Sequence, residues 1–216
     1  MKKLSGIFVV LILLLFSACS TNKPDDWEVP ESTVTLISTE TDAAENNLLP
    51  LPQDSTEFSF LSGAGGWRTI LTLNRDGTFA GWYLDSEMGE IGEGYPNGSA
   101  YTCTFSGKFE NIERINEFSY KMTLADIKTE KAVGEVWIED EIRYVASGPF
   151  GLNDPVGNQE CTDYIFCLPD TPTDQVPEEF LSWWPYRYTQ DTDPKTTLSC
   201  YGILNVTTNY GFFHAK

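Results

Sequence analysis

The chain has 216 residues, with 32 acidic against 14 basic side chains and a formal net charge of −18. A polymer this acidic repels nucleic acids and bare anionic membranes, which sets DNA and RNA aside as partners. Thirteen Phe, ten Tyr, six Trp and 17 Gly beside a single His lean towards pleated sheet joined by tight turns.

The N-terminus is organised differently from the rest. Lys2 and Lys3 precede an apolar run over 7–16 (IFVVLILLLF), and Ser17, Ala18 and Cys19 follow. A basic start, a short apolar core and a small-residue exit form an export signal over 1–18. The run is well short of the ~20 residues that a membrane-spanning helix needs. Phe16-Ser17-Ala18-Cys19 resembles the lipobox of bacterial lipoproteins, although leucine is commoner where Phe16 stands. The resemblance implies cleavage before Cys19, a diacylglyceryl group on its thiol and a further acyl chain, such as palmitate, on the new amino group. Two long chains anchor stably at ~0.8 kcal/mol per buried methylene. The mature chain is therefore expected on the extracellular face of the cell membrane, with the membrane as its partner through the lipid.

Residues 19–56 read as the lipidated cysteine and a flexible tether. They carry Pro24, Pro30, Pro50 and Pro52 and the polar stretch STETDAAENN over 38–47. Such a composition cannot repay the entropy of ordering. Residues 57–216 read as one β domain.

Phe58 and Phe60 alternate with Ser59, and Gly63, Gly65 and Gly66 mark a turn. Trp67, Thr69, Leu71 and Leu73 share one parity of the next strand. Asn74-Arg75-Asp76-Gly77 is a hairpin signal, with 78–84 as the returning strand. Tyr101, Cys103, Phe105 and Phe109 face one way and Thr102, Thr104, Ser106 and Lys108 the other. Phe118, Tyr120, Met122 and Leu124 repeat that alternation. Strands are also expected over 133–138 and 141–146, joined at Glu139-Asp140, and over 164–168 and 198–206. One short helix is expected near 177–184, with Pro177 at its start, Glu178 and Glu179 in its first turn, and Pro185 after it. It should pack on the sheet or plug one end of a barrel.

These elements predict an all-β fold, an antiparallel β-barrel or else a two-layer β-sandwich. Gly65, Gly66 and Trp67, then Asp76, Gly77, Phe79, Gly81 and Tyr83, resemble the first hairpin of lipocalin-like barrels, which tips the choice to the barrel. The segments 58–67, 85–96, 169–183 and 201–212 are similar to a group of surface lipoproteins of clostridial-type Gram-positive bacteria. That resemblance implies surface location and a shared compact domain, and carries over no catalytic residue.

Cys103, Cys161, Cys167 and Cys200 remain after the anchor, and outside the cytoplasm an even set is expected to form at least one disulfide. Cys161 with Cys167, or Cys167 with Cys200 and Cys103 with Cys161, both fit. Asp85, Glu87, Glu90 and Glu93 lie in a glycine-punctuated loop whose oxygens could hold Ca²⁺, or which is simply a solvated acidic loop. Apart from that calcium no cofactor is expected. His214, near the C-terminus, offers no nucleophile a base. Trp82 lies opposite Phe79 and Tyr83 in its strand, and Trp183 cannot share the direction of Trp184, so both are candidates for a contact patch. The leading function is capture of a small apolar or carbohydrate ligand, or of an extracellular protein. The alternatives are a glycoside hydrolase using two carboxylates and a structural or assembly lipoprotein.

Overall fold

A computed structural model describes residues 48–153, 160–187 and 194–214. The export signal, Cys19 and most of the expected tether lie outside the described residues. Among the described residues there are ten strands, β1 (Ser55–Leu61), β2 (Trp67–Asn74), β3 (Thr78–Glu87), β4 (Ser99–Arg114), β5 (Ser119–Thr129), β6 (Val136–Glu139), β7 (Ile142–Ala146), β8 (Asp163–Cys167), β9 (Gly202–Asn205) and β10 (Gly211–Phe213). A short α-helix, α1 (Glu178–Ser182), starts after Pro177 as the sequence indicates.

Eight strands close a barrel in the order β1-β2-β3-β4-β5-β8-β9-β10 and back to β1, every neighbour antiparallel. The fold is therefore an all-β, lipocalin-like closed barrel rather than a sandwich. β6 and β7 form a hairpin inserted between β5 and β8, outside the ring. β7 pairs with the first residues of β4 in parallel, whereas the other strand pairs among the described residues are antiparallel. Asp140 and Glu141, both at positive φ (51° and 61°), make the tight turn between β6 and β7.

Inward parity follows the aromatic pattern. Phe58, Phe60, Leu71, Leu73, Phe79, Phe105, Phe109, Met122, Phe166 and Phe212 fill the interior. In the β2–β3 hairpin, Asp76 Oδ1 accepts from the Thr78 amide (3.0 Å) and hydroxyl (2.6 Å), and those bonds hold its carboxyl below the usual range. Gly77 has φ +83°, and a Cβ there would stand 2.3 Å from the Phe109 carbonyl oxygen. Only glycine fits that turn.

Two features depart from the sequence reading. The folded body reaches further back than Glu57. β1 begins at Ser55, and Leu49 and Leu51 are buried in the barrel core. Arg75 ties that segment to the β2–β3 turn, accepting from the Leu49 amide (2.8 Å) and donating to the Asp54 carbonyl (3.2 Å). The strand expected over 198–206 is only β9, and β10 supplies the last stave of the barrel. The seam between β10 and β1 is short. It is reinforced by Ser59 Oγ donating to the Phe213 carbonyl (3.3 Å) and His214 Nδ1 donating to the Glu57 carbonyl (2.9 Å). Of the two placements expected for the helix, α1 takes the first and packs on the outer wall of the sheet. Phe180, Leu181 and Trp184 bury there against Cys167, Leu198, Cys200, Leu204 and Phe213.

Cys103, Cys161, Cys167 and Cys200 are all buried. Cys103 and Cys161 belong to the inner core, whereas Cys167 and Cys200 belong to the outer cluster beneath α1. The barrel wall thus separates Cys161 from Cys167. Burial pushes the Cys103 thiol up to about 11 and the Cys167 thiol up to about 12, which leaves both as inert packing groups.

Candidate functional site: the barrel mouth

A closed eight-stranded barrel is wide enough either to fill with side chains or to enclose one small ligand. Here the end beside Leu49 and Leu51 is filled, and the other end is where polar chemistry collects. β2, β8 and β9 each turn one polar side chain inward near that end: Thr69, Tyr164 and Asn205, all at most 1% exposed. A buried polar group must find a partner or cost about 1–3 kcal/mol. All three find it in one stretch of main chain, 150–152, in the connection between β7 and β8.

Thr69 Oγ1 donates to the Phe150 carbonyl at 2.8 Å. Asn205 Nδ2 donates to the carbonyls of Gly151 (3.0 Å) and Leu152 (3.3 Å), and the Tyr164 hydroxyl donates to that of Leu152. Asn205 is itself fixed, because its Oδ1 accepts from the amides of Thr207 (3.0 Å) and Thr208 (3.3 Å). Burial raises the Tyr164 hydroxyl well above its ordinary value, so it remains a donor.

Aromatic rings hold the same segment. Phe150 packs against Trp67 (centroids 4.9 Å), Tyr83 (5.5 Å), Phe60 (5.8 Å) and Tyr210 (6.1 Å). Gly151 has φ +83°, and a Cβ there would lie 2.4 Å from the Phe60 ring. The backbone therefore passes directly over that ring. A gap of about 40 Å³ remains beside the segment, bordered by Leu152, Cys161, Asn205 and Tyr210. That is room for about one water. Trp183 joins the cluster through Phe60 (4.8 Å) and Tyr210 (5.6 Å), and its Nε1–H is buried with no partner.

The residues singled out in sequence are distributed differently. Trp183 is part of the mouth, whereas Trp82 lies on the outer wall, 38% exposed, with the Arg68 guanidinium 5.1 Å from its ring. Asp85, Glu87, Glu90 and Glu93 do not converge. Among the described residues no three His, Cys, Asp or Glu side chains are grouped to hold a metal ion. Glu90 is committed elsewhere. It pairs with Arg143 (2.5 Å), accepts from the Tyr101 hydroxyl (3.0 Å), and its carbonyl accepts from Ser99 Oγ (2.9 Å). Thr69, Phe150, Tyr164 and Asn205 were not selected from sequence. The available signal was polarity at inward positions, Thr69 between Trp67 and Leu71 and Asn205 closing the run GILN.

No family model, curated protein or solved structure matches this chain. Among the described residues no helix is long and apolar enough to cross a membrane.

The Glu90–Arg143 pair carries a pH prediction. The Arg143 hydrogen bond, helped by Tyr101, holds the Glu90 carboxyl below its ordinary value. A depressed carboxyl stabilises the fold above the ordinary glutamate range and loses that contribution as pH falls through its folded value. An NMR titration of the side-chain carbons should show Glu90 with a low midpoint that rises in Arg143→Gln. An unchanged midpoint would mean that the ion pair does not set it.

Proposed function

We propose that this protein is a lipid-anchored binding protein of the extracellular face, whose barrel takes a small, neutral, apolar ligand bearing carbonyl oxygens. The observation that carries this reading is the convergence of Thr69, Tyr164 and Asn205, from three strands, on carbonyls at a mouth lined with aromatic rings. On this reading the chain's own segment 150–152 occupies the place that such a ligand would take. The three donors are uncharged, so they suit a neutral carbonyl. A carboxylate would find no cation among them and would also face a strongly acidic chain. The unpartnered Trp183 Nε1–H adds a fourth donor for a ligand that displaces the segment. The lipid on Cys19 and the polar residues after it would hold this mouth outside the membrane. Binding is favoured over hydrolysis because the polar groups at the mouth are uncharged donors, not the facing carboxylates that glycoside cleavage needs.

Two measurements test the two halves of the reading. Cys19→Ala should move the cell-expressed protein from the detergent phase to the aqueous phase; a wild type already aqueous would remove the anchor. For the body, the probe is prodan, a neutral naphthyl ketone whose emission shifts to the blue when buried. The bound segment competes with it, so the wild type should bind weakly and Phe150→Gly about tenfold or more tightly. A probe that binds neither form, or both alike, would show that the mouth is simply core.

A further inference from the structure

We propose a second ligand site, for a sugar ring, in the cleft where the sheet forks outside the barrel. β4 changes partner midway along one edge. Its residues 99–102 pair with β7 and its residues 105–114 with β5. The last bond on one side runs from the Ser147 amide to the Thr102 carbonyl (2.9 Å), and the first on the other from the Glu130 amide to the Thr104 carbonyl (2.9 Å). Between them, at Cys103, the two partners diverge and leave an open cleft of about 300 Å³. The backbone at its base is therefore fixed, and the cleft is a consequence of topology rather than of loose packing.

Its walls have two chemistries. Trp137 and Tyr144, directly paired across β6 and β7, stack with centroids 5.2 Å apart and planes 11° from parallel. They form a half-buried apolar wall outside the barrel. The rest of the lining is polar, chiefly Thr102, Thr104, Glu130 and Glu139, with Lys131 Nζ 4.6 Å from the Trp137 ring and paired with Glu135 (2.8 Å). A pyranose ring has the matching chemistry, with C–H groups on its faces and hydroxyls round its rim. The hydroxyls can donate to Glu130 and Glu139 and accept from Lys131 and the threonines. A purely apolar ligand would leave those groups without partners. A simple cation would use the acids and meet Lys131. The volume is at the lower end of small-molecule sites, which suits one or two sugar rings. Glu130 and Glu139 are both solvent-exposed, so their oxygens are open to the rim hydroxyls of a ring seated in the cleft.

The site shares no residue with the barrel mouth, so either can fail alone. The test is NMR titration of the soluble body with glucose, galactose and N-acetylglucosamine. At least one should shift the Trp137 indole signal with a Kd of about 1 mM. Trp137→Ala should weaken that binding at least tenfold, while Trp82→Ala leaves it unchanged. Because Trp137 lies outside the ring of strands, the amide spectrum of the barrel should persist in the variant. Tyr144→Leu, which keeps an apolar side chain without the ring, should weaken binding as well. The proposal is overturned if none of the three sugars moves the Trp137 signal, if the variants bind as the wild type does, or if butylammonium binds the cleft more tightly than any sugar.

Discussion

Hydrogen bonds from Thr69, Tyr164 and Asn205 to the carbonyls of 150–152 are the constraint around which the barrel is arranged. Each of those side chains would be an orphan in an otherwise apolar interior. Each would then cost more than a typical hydrogen bond returns. The main chain of 150–152 has the same difficulty, because carbonyls carried into a barrel cannot reach water. The two needs cancel. The arrangement explains why the interior end of the barrel tolerates threonine, tyrosine and asparagine, and why Gly151 is needed where the segment crosses Phe60. In the function proposed above, the segment stands in for a ligand, held by the neutral donors and the rings that would hold another molecule.

Closure decides what is left for the surface. Eight mutually paired strands leave the ring without an edge, so the exposed edge chemistry is displaced to the β6–β7 hairpin. β6 is the free edge, with Val136 (56% exposed) and Ile138 (51%) flanked by Glu135 and Glu139. The acids make it a poor template for another copy of so acidic a chain. The same hairpin draws β7 onto β4, and the fork that results sets the aromatic pair Trp137 and Tyr144 beside Glu130 and Glu139. Arg143, on β7, then fixes the loop after β3 through Glu90 and stands 5.1 Å from the Tyr95 ring. The acidic loop, for which the sequence left calcium binding or simple solvation open, thereby braces the hairpin.

Local signals were legible and distant ones were not. Asp76-Gly77 announced the β2–β3 hairpin because turn chemistry is written in adjacent residues. The alternation Tyr101, Cys103, Phe105 and Phe109 gave the inward face of β4, because period two is intrinsic to a strand. The alternation could not reveal that β4 changes partner at Cys103, since nothing at that residue marks it. β10 has only three residues, too few for a pattern. Leu49 and Leu51, set among prolines and polar residues, read as tether, yet they fill the end of the barrel. The number of cysteines and the export signal favour bridges, but which of them can pair depends on which side of the wall each side chain faces. Of the mouth, only Trp183 was singled out in sequence. Thr69 and Asn205 are ordinary residue types whose importance comes from meeting one distant loop.

Ligand binding at the mouth requires segment 150–152 to leave the barrel without the barrel unfolding. Hydrogen exchange of the amides of Leu152 and Asn153, both bonded to the Pro149 carbonyl (3.0 and 3.1 Å), measures this directly in the wild-type body. If the segment occupies a ligand site, these amides exchange through an opening that leaves those of Leu71 and Phe105 protected, and a saturating neutral ketone speeds their exchange. If they exchange only when Leu71 and Phe105 do, with or without the ketone, the segment is a fixed part of the core and the ligand site is not there.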